Sequence, residues 1–127
     1  MRTIAIDFDG VIHKYSKGWA DGSIYDDPIS GAFEFIREAM KTHTIFVFSS
    51  RSPWQIKRWI NNYLITHDPE FDTGFSVYGF EAEVIPFWKK FWDKPNRLGI
   101  TRRKLPAEMY IDDRAIRFSG SFEGLLT

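Results

Sequence analysis

The sequence predicts an α/β domain built on a mainly parallel sheet, and three observations carry that expectation. Short apolar runs, Ile4 to Ile6 and Thr44 to Phe48, have the unbroken hydrophobicity of strands covered on both faces. The segments after them carry apolar residues at helical spacing, so strand and helix alternate. Each run also ends in a polar cluster: Asp7 and Asp9, then Ser49 and Ser50, and after a later run Asp112 and Asp113. In a parallel sheet the carboxyl ends share one rim, which is where open α/β sheets hold ligands. The three clusters should therefore converge.

In order along the chain, Ile4-Ala5-Ile6 runs into Asp7-Phe8-Asp9-Gly10. Two positions apart on extended backbone puts both carboxylates on one side, and Gly10 permits a sharp turn. An Asp-Gly turn alone is also a common hairpin signal. His13 to Tyr25 is polar and bears glycine, and reads as a loop or small hairpin flap. Asp27-Pro28 has the pattern of a helix N-cap and first position, with Ile29, Phe33, Ile36 and Met40 as the buried stripe. His43-Thr44 closes that helix before the second strand. Ser52-Pro53 repeats the cap signal ahead of Ile56, Trp59, Ile60, Tyr63 and Leu64. Thr66 to Ala82, with Pro69, Gly74 and Gly79, is long for a connection. A third helix is expected near Pro86, carrying Phe87, Trp88, Phe91 and Trp92 as core. Gly99 to Thr101 reads as a third strand, Glu108 to Ile111 as a fourth and Ile116 to Phe118 as a fifth. Helices on both faces of the sheet, joined by right-handed crossovers, complete a three-layer sandwich.

The 127 residues form one expected domain, 1–127, long enough to bury roughly two-thirds of its unfolded surface. The absence of Cys removes thiolate catalysis, disulfides and zinc ribbons. No apolar run is long enough to cross a bilayer. Met1 leads straight into the first strand, so a soluble, cytoplasmic protein with no membrane association is expected. The net charge is zero, yet nine Lys or Arg fall between Lys89 and Arg117 against four acids. That bias could steer an anionic substrate or simply be a solvated face.

Asp7, Asp9, Asp112 and Asp113 would bring up to four carboxylates to the rim, a donor set that suits a hard cation such as Mg²⁺ bound with a phosphate. A hydroxyl at Ser49 and a nearby lysine could hold phosphoryl oxygens, with one carboxylate as nucleophile and another moving protons. Each piece has a plainer reading, Ser49-Ser50 as a cap and Asp112-Asp113 as a solvated turn.

Taken together, these residues resemble the small phosphatases of the haloacid dehalogenase superfamily, including forms with a minimal cap encoded by phages and bacteria. The resemblance runs from Ile4 to about Phe118 and implies a Rossmann-like fold with no large cap domain. The first motif of that family is matched by Ile4 to Ile12, which would make Asp7 the nucleophile and a Mg²⁺ ligand. Asp9 would be the general acid/base, with its backbone carbonyl on the metal; the dehalogenases and transport ATPases of that superfamily lack a carboxylate there. The second motif is matched by Ile45 to Ser49, with Ser49 as the phosphate-binding hydroxyl and Ser50 and Arg51 beside it. The fourth is matched by Tyr110 to Asp113, with Asp113 the direct ligand and Asp112 behind it. For the third, a lysine, Lys104 is the choice, although Leu105 interrupts the usual Lys-Pro; Lys89, Lys90 and Lys94 stay open.

The implied activity is a Mg²⁺-dependent phosphomonoester hydrolase working through an aspartyl phosphate. The readings from other classes are a receiver-like phosphoaspartate domain and a binding module without turnover. A rim with no large cap favours a large phosphorylated partner. Asp112-Asp113-Arg114 resembles the phosphatase half of polynucleotide kinase-phosphatases, which suggests a nucleic-acid 3′-phosphate or a nucleotide. Arg51, Arg102, Arg103, Arg114 and Arg117 would then hold the polyanion. A generalist on small phosphomonoesters is the equal alternative.

Overall fold

The computed structural model describes residues 2–67, 80–86, 97–115 and 117–124. Its apolar runs form five strands: β1 (Arg2–Ile6), β2 (His43–Phe48), β3 (Glu81–Val84), β4 (Arg97–Thr101) and β5 (Met109–Ile111). They make one all-parallel sheet in the order β3-β4-β2-β1-β5. The register pairs Ile6 with Val47 and with Ile111, and Phe48 with Thr101. Asp7, Asp112, Ser49 and Arg102 therefore leave the sheet on the same rim.

Alternation along the strands assigns the two faces. Ile4, Ile6, Ile45, Val47, Ala82, Leu98 and Ile100 form one buried cluster with helices α1 (Ala32–Ala39) and α2 (Pro53–His67). Helix α1 contributes Phe33 and Ile36, and α2 contributes Ile56, Ile60 and Leu64, each fully or almost fully buried. That four-residue spacing is one stripe of an amphipathic helix. Pro53 starts α2, where a missing N–H costs nothing, and the N–H groups of Gln55 and Ile56 donate to the Ser52 carbonyl. Ala5 and Phe46 point to the other face, beside Ile85, Phe48, Leu105 and Ala107. The edge strand β3 is held by α2: the Asn61 side-chain amide both donates to the Ala82 carbonyl and accepts from its N–H.

Several details depart from the sequence reading. The first helix does not start at Asp27-Pro28 but at Ala32, behind Gly31 in left-handed conformation (φ 85°). Residues 27–29 are used otherwise: Lys14 N–H donates to the Asp27 carbonyl, Ile29 N–H to the Ile12 carbonyl, and His13 bridges Pro28. The segment read as one long connection ends in a strand, β3, so the expected third and fourth strands are β4 and β5. No strand follows β5 among the described residues: Arg117 and Phe118 of the expected last strand are outside any strand, and Ile116 lies outside the described residues. Both described helices lie on one face of the sheet. The helix expected to carry Phe87, Trp88, Phe91 and Trp92 lies outside the described residues. No described helix is long and apolar enough to cross a membrane.

Candidate active site

Asp7 follows β1 directly, and its N–H continues the ladder by donating to the Ile111 carbonyl at 2.9 Å. That bond sets Asp7 beside Asp112. One carboxylate oxygen from each of Asp7, Asp112 and Asp113 lies within 4.8 Å of the other two. Asp113 reaches this position by lying against Gly10, whose φ of 85° is left-handed. A β-carbon at Gly10 would collide with the Asp113 carboxylate, so the glycine supplies both the turn and the space. The Asp112 carboxylate accepts the N–H of Arg114 at 2.9 Å, which closes the turn after β5.

Like charge at close range is the electrostatic character of the cluster. Burial pushes the Asp7 carboxyl up to about 6; the charges of Asp112, Asp113 and Asp9 push the same way, and the Phe8 N–H pulls partly back. Among the described residues no Lys, Arg or His forms an ion pair with Asp7, Asp112 or Asp113. Three carboxylate oxygen donors that, among the described residues, have no basic partner suit a hard divalent cation, so these residues fit Mg²⁺.

Asp9 stands apart from that cluster. Its carboxylate accepts the Arg51 Nε–H, at 2.8 and 3.0 Å to its two oxygens, and meets His13 Nδ1 at 2.9 Å. His13 is fully buried, and its Nε2 accepts the Asp26 N–H at 3.0 Å. That bond leaves the ring proton on Nδ1, so a neutral His13 donates to Asp9. Arg51 is buried as well. Its Nη1 donates to the Gly22 carbonyl at 2.7 Å and its guanidinium carbon lies 4.5 Å from the Trp19 ring centre. Residues 13–27 are thereby strapped to the rim through Arg51 and His13.

The remaining expected site residues are placed as follows. Ser49 is buried on the rim, its hydroxyl accepting the Arg51 N–H at 3.2 Å, and Ser50 is exposed. Lys104 is exposed, with its ammonium 5.4 Å from the Tyr110 ring centre and, among the described residues, no ion pair to the carboxylates. Lys89, Lys90 and Lys94 lie outside the described residues. Arg51 is turned to Asp9 rather than to the three-carboxylate cluster. Arg102, Arg114 and Arg117 are exposed, and Arg102 Nε donates to the Arg51 carbonyl. Sequence reading missed His13 and Trp19. The only advance signal for His13 was its place four residues after Asp9.

Searches against protein-family models, curated proteins and solved structures find no match to this chain.

Proposed function

We propose that the protein is a Mg²⁺-dependent phosphomonoester hydrolase that works through an aspartyl phosphate on Asp7. The observation that carries this reading is the meeting of Asp7, Asp112 and Asp113 at the ends of neighbouring strands, with no ion pair to a basic side chain among the described residues. Mg²⁺ held by these three would offset their charge and that of a phosphate. A free Asp7 oxygen attacks phosphorus, the ester P–O bond breaks, and Asp9, which must first take up a proton and loosen its contact with Arg51, gives that proton to the departing oxygen. Water then attacks the same phosphorus, passes a proton to the Asp9 carboxylate and releases phosphate from Asp7. Asp9 keeps 19% of its side chain exposed, an edge by which the leaving oxygen and the water can reach it. Ser49 and Lys104 are the proposed phosphate-oxygen donors; Lys104 must swing off Tyr110 to serve.

A receiver-like domain is disfavoured by strand order. Here β1 lies between β2 and the acid-bearing β5, whereas the flavodoxin-like order of receivers sets the third strand beside the first. The deciding experiment is release of phosphate from p-nitrophenyl phosphate with and without Mg²⁺. Steady turnover that needs Mg²⁺ and disappears in Asp7→Asn is the expected result. A single stoichiometric phosphorylation, or turnover indifferent to Asp7, would overturn the proposal.

A further inference from the structure

Trp19 occupies an unusual position for a large aromatic side chain. It is 53% exposed, yet its ring is fixed on several sides. The Arg51 guanidinium stacks 4.5 Å from its centre. Gly22 packs so closely on the indole that an added β-carbon would stand 3.2 Å from Cζ2, and the Gly22 N–H donates to the Trp19 carbonyl. The Gly22 carbonyl is itself gripped by Arg51 Nη1 and Gln55 Nε2, at 2.7 and 3.1 Å. Tyr15 and Ala20, on either side of Trp19, hold left-handed backbone with φ 61° and 50°, a cost that the surrounding bonds must sustain. With the residue 53% exposed, part of the indole stays open to solvent beside the Arg51 contact.

The position of the ring relative to the rim gives this exposure a use. The same guanidinium that backs Trp19 grips Asp9, whose charge in turn acts on Asp7. The indole therefore stands one guanidinium beyond Asp9, within reach of a planar group carried by the leaving oxygen. Nucleotides are phosphomonoesters that carry such a group, a base set off from the phosphate by a sugar. An aromatic face held in place in advance binds a planar group at low entropic cost, and stacking tolerates any base. We infer that Trp19 is a stacking platform for a nucleobase, so that the phosphomonoesters taken by this site are nucleotides. The inference rests on the hydrolase reading above and adds to it the class of leaving group and the residue that selects it.

The test is catalytic efficiency, kcat/KM, on the 5′- and 3′-monophosphates of adenosine against ribose 5-phosphate. The better adenosine ester should exceed ribose 5-phosphate by about tenfold or more, the range one stacked base contributes. Trp19→Ala should remove that ratio and Trp19→Phe should keep most of it. No preference, or a preference that survives Trp19→Ala, overturns the inference; so does an equal loss on all substrates, which marks Trp19 as structural only. Asp7-dependent turnover of p-nitrophenyl phosphate with no nucleotide preference would sink this inference and leave the hydrolase reading standing. If no ester is turned over, calorimetric binding of the same compounds decides it alone. Adenosine monophosphate binding tighter than ribose 5-phosphate only when Trp19 is present upholds the platform, and equal binding overturns it.

Discussion

Gly10 is where a single atom has the largest expected effect. A methyl group there meets the Asp113 carboxylate and forces left-handed backbone on a residue that resists it. Gly10→Ala should lower stability by about 1–3 kcal/mol, the usual cost of such strain, and should displace Asp113. The two consequences separate experimentally: denaturant unfolding reads the first, and loss of Mg²⁺-dependent stabilisation reads the second. The Asp7, Asp112 and Asp113 cluster was legible in the sequence because each acid directly follows an apolar strand. The partner of Asp9 was not. Arg51 lies 42 positions away, and a charge in a Ser-Ser-Arg-Ser run looks solvated until the fold buries it. Asp9→Asn should slow turnover by roughly 10²–10⁴-fold if the acid/base role holds, while leaving Mg²⁺ binding by the three-carboxylate cluster in place. A chelator-reversible shift in thermal unfolding of that variant is the check.

Among the elements, the 13–27 segment and helix α1 show how tertiary contacts override a local signal. Asp27-Pro28 is a sound helix start by composition, but the chain used those residues to pair with 12–14, and the helix began only after Gly31. A period of apolar residues survives that shift, so the buried stripe was readable although the boundary was not. The 13–27 segment has its own pH dependence. Hydrogen bonds from the Ser16 hydroxyl and N–H, with help from the Asp27 N–H, draw the Asp26 carboxyl down to about 2. A depressed carboxyl stabilises above its ordinary value and loses that contribution as protons are taken up. Between about pH 4 and pH 2 the Ser16 amide should exchange faster relative to the β1 amides, and Asp26→Asn should remove this added pH dependence. Asn61 makes a second element-level case. Asn61→Ala leaves both main-chain groups of Ala82 without their partners and should cost about 1–3 kcal/mol, read as faster exchange across β3. Nothing in the sequence singled out Asn61, since a polar helix residue is ordinarily solvated.

At the scale of the whole molecule, the sheet order decides what meets what. Alternation and apolar runs were enough to expect parallel strands and a shared rim, because burial on both faces leaves a signal in composition. Which strands are neighbours left no such signal, since that depends on crossover packing between distant segments. The expected global response is to the cation. If Asp7, Asp112 and Asp113 bind Mg²⁺ in the native state only, a hundredfold excess over its dissociation constant should add about 2.7 kcal/mol. The melting temperature should rise by several degrees and fall back with chelator. A melting curve unmoved by either would remove the cation from the site.

The pairing of β1 with β5 also has a consequence for biogenesis. Asp7 follows β1, the first described strand to be synthesised, whereas Asp112 and Asp113 follow β5, the last of them, about a hundred residues later. At roughly 5–20 residues per second a ribosome takes about 5–20 s to cover that interval. During that time the early strands can pair with each other, but the acidic cluster does not yet exist. If the three carboxylates hold a cation, a nascent chain therefore cannot capture it until β5 has emerged and docked. Chains stalled short of Met109 should pair β1 with β2 and yet show no Mg²⁺-dependent stabilisation.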